Sequence, residues 1–103
     1  MNSNDGEVLE DDVPSPGIVT ADTTDITITG ATILLLKAFN TGLRFYFTNI
    51  PNGIPGPATV FVDVENGQSA TVTALQLGYG GGNVYLCVLN IGMTPGTYMI
   101  TVG

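Results

Sequence analysis

The sequence predicts an all-β domain, an antiparallel β-sandwich of about seven strands. Three observations carry this expectation. No stretch sustains the 3.6-residue apolar period of a helix. Short runs rich in β-branched and aromatic residues alternate apolar and polar side chains with a period of two. Between them lie "NTG" (40–42), "PNGIPGP" (51–57), "ENGQ" (65–68), "GYGGGN" (78–83) and "MTPG" (93–96), all turn-forming in composition.

The elements follow in order. Residues 1–16 read as an extended acidic arm ahead of the globule, because Pro14 and Pro16 favour extended backbone. Residues 17–103 read as the sandwich. Its expected strands are 18–20, 25–29 continuing through 31–37, 43–49, 58–65, 70–77, 84–89 and 97–102. Asn-Gly in "ENGQ" predicts a tight hairpin between 58–65 and 70–77. In "LRFYFT", Leu43, Phe45 and Phe47 oppose Arg44, Tyr46 and Thr48. In "TVFVDVE", Val60, Val62 and Val64 oppose Phe61, Asp63 and Glu65, and in "TYMITV" Tyr98, Ile100 and Val102 face together. The expected core is Ile26, Ile28, Phe45, Phe47, Val60, Val62, Val64, Val72, Leu86, Val88, Tyr98 and Ile100. Two runs, "ILLL" (33–36) and "VYLCVL" (84–89), are apolar on both faces. Either a loop or the arm covers their outer face, or that face meets another subunit.

Charge is scarce and unevenly placed. Charged residues make up 11% of the chain, against roughly 25% in an ordinary soluble domain. Five of the nine acids, Asp5, Glu7, Glu10, Asp11 and Asp12, fall in the first twelve positions of a chain with net charge −7. The rest carries Asp22, Asp25, Asp63 and Glu65 against Lys37 and Arg44, little protection against association. The acidic balance argues against nucleic acid and anionic membrane as partners, since both require clustered Lys and Arg. No apolar stretch approaches the ~20 residues of a membrane span, and the leader has neither the basic nor the apolar region of a signal peptide. The lone Cys87 forms no intrachain disulfide, which fits a reducing compartment.

The chemistry of catalysis finds few residues. Nucleophilic mechanisms need a base, and the chain has no His. Cys87 sits in an apolar run with no basic neighbour, as a packing thiol does. Asp63 and Glu65 share a strand face, the placement of a carboxylate pair but equally of an exposed strand edge. "GYGGGN" precedes a strand and lacks the helix and Lys of a phosphate loop, so it reads as a mobile connection. No cofactor, metal or catalytic residue is expected.

Three segments resemble the immunoglobulin-like modules of IPT/TIG type. "DITITGATI" (25–33) is similar to their early strand, "ATVFVDVENGQSATVTAL" (58–75) to their central hairpin, and "VYLCVLNIGMTPGTYMITV" (84–102) to their closing pair. The resemblance implies an immunoglobulin-like sandwich and says little of function, because that fold carries many tasks.

Three functional readings compete. One is a structural subunit that binds and stabilises a larger protein assembly, in the plan of a small phage head-decoration (cement) protein made without a signal peptide and carried in the virion. Its partners would be the major capsid protein, identical subunits, or both. An alternative is an adhesion or carbohydrate-binding module of an extracellular surface protein, but Trp is absent and Tyr46, Tyr79, Tyr85 and Tyr98 are scattered. An enzyme is disfavoured by the missing residues. For the assembly subunit, the arm supplies Asp5, Glu7, Val8, Leu9, Glu10, Asp11, Asp12 and Val13 as partner contacts, acids for basic groups and apolar anchors between them. The body supplies Phe61, Asp63, Glu65, Leu34 and Leu36.

Overall fold

Alternation and turn chemistry resolve into eight strands in the computed structural model, which describes residues 6–103. The strands are β1 (Glu7–Val13), β2 (Ile18–Thr20), β3 (Ile33–Phe39), β4 (Leu43–Thr48), β5 (Phe61–Val64), β6 (Ser69–Thr73), β7 (Tyr85–Asn90) and β8 (Gly96–Val102), with one 3-10 turn at Leu75–Leu77. They form two four-stranded antiparallel sheets of order β1-β8-β3-β6 and β2-β7-β4-β5. The expected all-β antiparallel sandwich is therefore present, with eight strands in place of about seven.

The order has a simple origin. Pairs β1·β8, β2·β7, β3·β6 and β4·β5 are those of one long hairpin. Rolling it up adds β3·β8 and β4·β7. This is the plan of an eight-stranded jelly roll. In the immunoglobulin order the last two strands lie side by side in one sheet; here β7 and β8 lie in opposite sheets.

The same order corrects the "ENGQ" hairpin. The Gln68 amide donates to the Glu65 carbonyl at 2.9 Å, so a tight turn does form. Of its two central residues only Gly67 has a positive φ, 78°, whereas a type I′ hairpin turn needs both. The chain leaves β5 in one sheet and enters β6 in the other. Residues 25–29 form no strand either. They run as an irregular connection whose Ile26 and Ile28 lean half-buried on the core.

The arm is corrected as well. Asp5 lies outside the described residues, but Glu7–Val13 pairs along its whole length with β8, from Glu7 opposite Val102 to Val13 opposite Gly96. Period-two alternation turns Leu9 and Val13 inward, and Val13 is fully buried in the core. The acidic segment is an edge strand of the sandwich because two of its apolar side chains have a core to enter.

Of the expected core, Phe45, Phe47, Val64, Leu86, Val88, Tyr98 and Ile100 are buried, and Ile26, Ile28, Val62 and Val72 pack partly buried against them. Val60 is 52% exposed, since β5 begins one residue later. Leu34 and Leu36 are fully buried between the sheets. They form core, not partner surface: on β3 it is Ile33 and Leu35 that face outward.

Four polar side chains, Thr32, Thr41, Thr48 and Asn90, are buried in this apolar frame, and Asn90 makes the most bonds. Asn90 Nδ2 donates to the carbonyls of Val13 (3.2 Å) and Thr94 (2.8 Å). Its Oδ1 accepts from the Thr41 hydroxyl (3.1 Å) and the Gly92 amide (2.8 Å). All four bonding positions of the amide are used.

Two stability predictions follow from this packing. Phe47→Ala should cost about 3–5 kcal/mol in urea unfolding, whereas Val60→Ser should lie within about 0.5 kcal/mol of wild type. Removing residues 1–13 should lower the melting temperature, because it opens β8 and empties the Val13 site; an unchanged melting temperature would mean that β1 does not belong to the folded unit.

Candidate functional site

Strands alternate in direction through the roll, so the seven connections divide between its two ends. One end holds 14–17, 40–42, 65–68 and 91–95, all short. The other holds 21–32, 49–60 and 74–84, each of 11 or 12 residues. Connections of this length carry function more often than short ones, being placed by the scaffold without being needed to close it.

The 49–60 connection is stiffened by Pro51, Pro55 and Pro57 and folds back over the outer face of the β2-β7-β4-β5 sheet. The Tyr46 hydroxyl donates to the Gly53 carbonyl at 2.7 Å, and the Thr48 hydroxyl donates to the Ile50 carbonyl at 2.7 Å. The Thr20 hydroxyl bonds the Asn52 side chain at 2.6 Å and accepts from the Asn52 amide at 2.7 Å. Beneath this cover lie Tyr46 and Cys87, both fully buried although both point away from the main core. Cys87 Sγ is 3.3 Å from the Thr48 hydroxyl. A loop thus covers Cys87 in the middle of the two-sided apolar run "VYLCVL", while Val84 and Tyr85 at its start stay exposed. Only Gly fits at position 53, where a Cβ would stand 2.7 Å from Thr48 Oγ1.

The upper side of the same loop is apolar and open. Ile50 is 56% exposed and Ile54 79%. They and Val60 line a cleft of about 490 Å³ that reaches Gly78 and Asn83 of the 74–84 connection. A second hollow of about 270 Å³ is lined by Ile26, Ile28, Tyr79, Val84 and Tyr85. "GYGGGN" closes into a tight turn here, with Gly80 and Asn83 exchanging backbone hydrogen bonds at 3.0 and 3.1 Å. No charged residue occurs from 45 to 62 or from 66 to 103, so the 49–60 and 74–84 connections present apolar side chains without an ionic fringe of their own, while Asp22 and Asp25 lie on the third connection of this end.

The remaining predicted site residues are dispersed. Arg44 clamps Asp63 through Nε–Oδ1 at 2.7 Å and Nη2–Oδ2 at 3.0 Å, and its guanidinium lies 4.0 Å above the centre of the Phe61 ring. Asp63 is thus committed to Arg44, and Phe61 is partly capped. Glu65 stays exposed at the short-loop end. Val8, Glu10 and Asp12 face outward on β1; Glu7, Leu9, Asp11 and Val13 share its inward side, with Asp11 opposite Tyr98. The sequence reading missed Ile50 and Ile54, although the charge-free, proline-rich stretch was there to mark them, and Leu75; Val84 it held only as part of the two-sided run 84–89. It also missed Asp22 and Asp25, which line an acidic cleft together with β1.

Two measurements probe this arrangement. Burial, helped by Cys87, pushes the Tyr46 phenol up to about 12, and burial followed by Asp11 and Asp22 does the same for Tyr98. Two tyrosines should therefore resist ionisation in an ultraviolet titration until about pH 12. In the unfolded chain they ionise near pH 10. The folded state then holds more protons than the unfolded one, so stability is full below about pH 10 and is lost as pH rises towards 12. Separately, Cys87 should resist thiol reagents in the native protein. Gly53→Ala should speed labelling about tenfold, the effect of about 1.4 kcal/mol of lost local stability.

No protein-family model, no curated protein and no solved structure matches the chain, so the reading of this site rests on its own residues.

Proposed function

We propose that this chain is a non-enzymatic structural subunit that binds and stabilises a larger protein assembly, docking through the long-loop end of its jelly roll. One observation carries the reading: Ile50, Ile54, Val60, Leu75 and Val84 stand exposed at one end of the molecule on segments devoid of charge. Large apolar side chains exposed on charge-free segments are costly to leave in water and are a mark of protein contact. The opposite end is made of short connections tied to one another, as suits a rigid support.

The narrower form of the proposal is a decoration protein on a viral capsid, with the major capsid protein as partner. Its support is the plan of the chain together with fold-level analogy, since jelly rolls serve in capsids and in lectins alike. A glycan-binding role has less to stand on. Tyr46 and Tyr98 are buried and Tyr79 is half-buried, leaving Tyr85 as the one exposed tyrosine ring.

A photo-crosslinking residue placed at 54, in the protein expressed where it is naturally made, should capture a structural protein of the assembly. The same residue at 65 should capture none. Ile54→Asp should weaken binding at least about tenfold, the loss expected of a central apolar anchor, without changing the melting temperature. Equal capture at both positions, or full binding by Ile54→Asp, would end the proposal.

A further inference from the structure

Four strand edges bound the two sheets, and three of them are protected. β1 carries four acids along Glu7–Val13. β2 is three residues long and is pinned to the 49–60 connection through Thr20 and Asn52. β5 is four residues long and holds the Arg44–Asp63 ion pair. β6 differs. Ser69–Thr73, "SATVT", is an edge strand of five residues without charge, proline or glycine. Charge, proline and shortness are the usual means by which an edge is kept from pairing, and β6 has neither of the first two and is longer than β2 or β5.

The hydrogen-bond phase sets what this edge offers. The Ala74 amide donates to the Thr32 carbonyl at 2.8 Å, and Ile33 exchanges its backbone bonds with Gly103, on the β8 side of β3. Bonded and non-bonded pairs alternate along an antiparallel ladder. Val72 opposite Leu34 and Ala70 opposite Leu36 are therefore the residues that bond to β3. Ser69, Thr71 and Thr73 direct their backbone groups away from the sheet. The Thr73 amide is taken by Gln76 Oε1 at 2.9 Å, whereas Ser69 and Thr71 stand exposed. The side chains add a second observation. Ala70 and Val72 pack against the core yet stay only half-buried, as does Val62 on β5, because the sheets end at these strands.

We infer that β6 pairs with β6 of a second copy of this chain, antiparallel about a two-fold axis at Thr71, so that two four-stranded sheets become one of eight strands. Thr71 then stands opposite Thr71 of the second copy, each amide donating to the other's carbonyl. The Ser69 amide of each copy donates to the Thr73 carbonyl of the other, and the Gln76 contact is left undisturbed. On the inward side, Val72 of each copy falls opposite Ala70 of the other in the closely spaced non-bonded pairs. The half-buried apolar residues of each edge thus cover those of its mate, which a polar strand would not do. Charge permits the joint. The acids of β1 lie on the far edge, seven strand spacings from those of the second copy, or roughly 33 Å at ~4.8 Å each. Exposed charges act over only ~8–10 Å at physiological ionic strength. One five-residue strand from each copy makes an interface at the low end of specific contacts, below about 1,200 Å², so the dissociation constant is on the order of 100 μM. The joint is separate from the long-loop end, and neither proposal depends on the other.

Analytical ultracentrifugation of the full chain, from about 10 μM to about 1 mM, tests this and should show a reversible monomer–dimer equilibrium. Thr71→Lys sets two like charges face to face across the joint and should weaken the dimer at least about tenfold, with the melting temperature unchanged because Thr71 is exposed. Val8→Lys adds the same charge to an exposed side chain of the far edge and should leave the dimer as it is. Ile54→Asp should leave it as well, which separates this joint from the long-loop contact. Cross-linking reads the register. Thr71→Cys should give a disulfide-linked dimer on mild oxidation, since the Cα atoms of a bonded pair lie about 5.5 Å apart. Ser69→Cys should not, because its mate lies four residues along the partner strand, roughly 14 Å away. A monomer at every concentration, a dimer that survives Thr71→Lys, a dimer lost to Val8→Lys or Ile54→Asp, or equal cross-linking at 69 and 71 would overturn the assignment.

Discussion

The short-loop end of the roll hangs on the side-chain amide of Asn90. Its four hydrogen bonds reach the last residue of β1, the β3–β4 turn and two positions of the β7–β8 connection. Each of those segments carries the chain from one sheet to the other. Around the amide the backbone closes further: the Asn90 amide donates to the Gly17 carbonyl and the Ile91 amide to the Gly42 carbonyl. The Thr94 hydroxyl donates to the Asn40 carbonyl, and the Asn40 amide to the Asn66 side chain. A network without unpaired members specifies one arrangement of crossings, because any other leaves a buried donor or acceptor unmet. That constraint fixes the spacing of the sheets at one end and frees the other to carry long, variable connections.

The acids of β1 answer to position in the sheet. β1 is an edge, with one side paired to β8 and the other open. Carboxylates along such a strand oppose pairing with a second chain, while Leu9 and Val13 secure it to the core. The opposite edge strands, β5 and β6, carry only Asp63, and the Arg44 clamp neutralises it. The molecule is thus polarised across its width, acidic along the β1/β2 seam and nearly neutral elsewhere. Orientation against a partner surface would follow from that polarity, since charge contributes register and encounter rate more than affinity.

Covering the outer face of a sheet with a proline-stiffened loop creates a second, smaller core. Tyr46, Thr48 and Cys87 are sealed beneath residues 49–57 through hydrogen bonds to backbone carbonyls that the loop must present in a fixed conformation. The same fixing turns Ile50 and Ile54 outward. The price of one buried face is thereby an exposed one, and the apolar character of the long-loop end follows from how the sheet below it is closed.

The sequence by itself determined the all-β class, most strand positions and the inward faces of β4, β7 and β8, because period-two alternation is a local property of the chain. It also determined the absence of charge over residues 66–103 and the burial of Cys87. Strand partners were beyond it. Asn-Gly at 66–67 encodes a tight turn but not whether the strands on either side share a sheet, and a turn that crosses between sheets differs from a hairpin in the φ of a single residue. The placement of residues 7–13 was equally hidden, since four acids around two inward apolar residues read locally as a solvated arm. Only the exposed edge of β8, assembled from the far end of the chain, made a strand of them. The acidic cleft unites Asp11, Asp22 and Tyr98, and the apolar end unites Ile54 with Val84. Both join residues far apart in sequence, and tertiary structure alone decided them, because the rolling of the hairpin sets which distant segments meet.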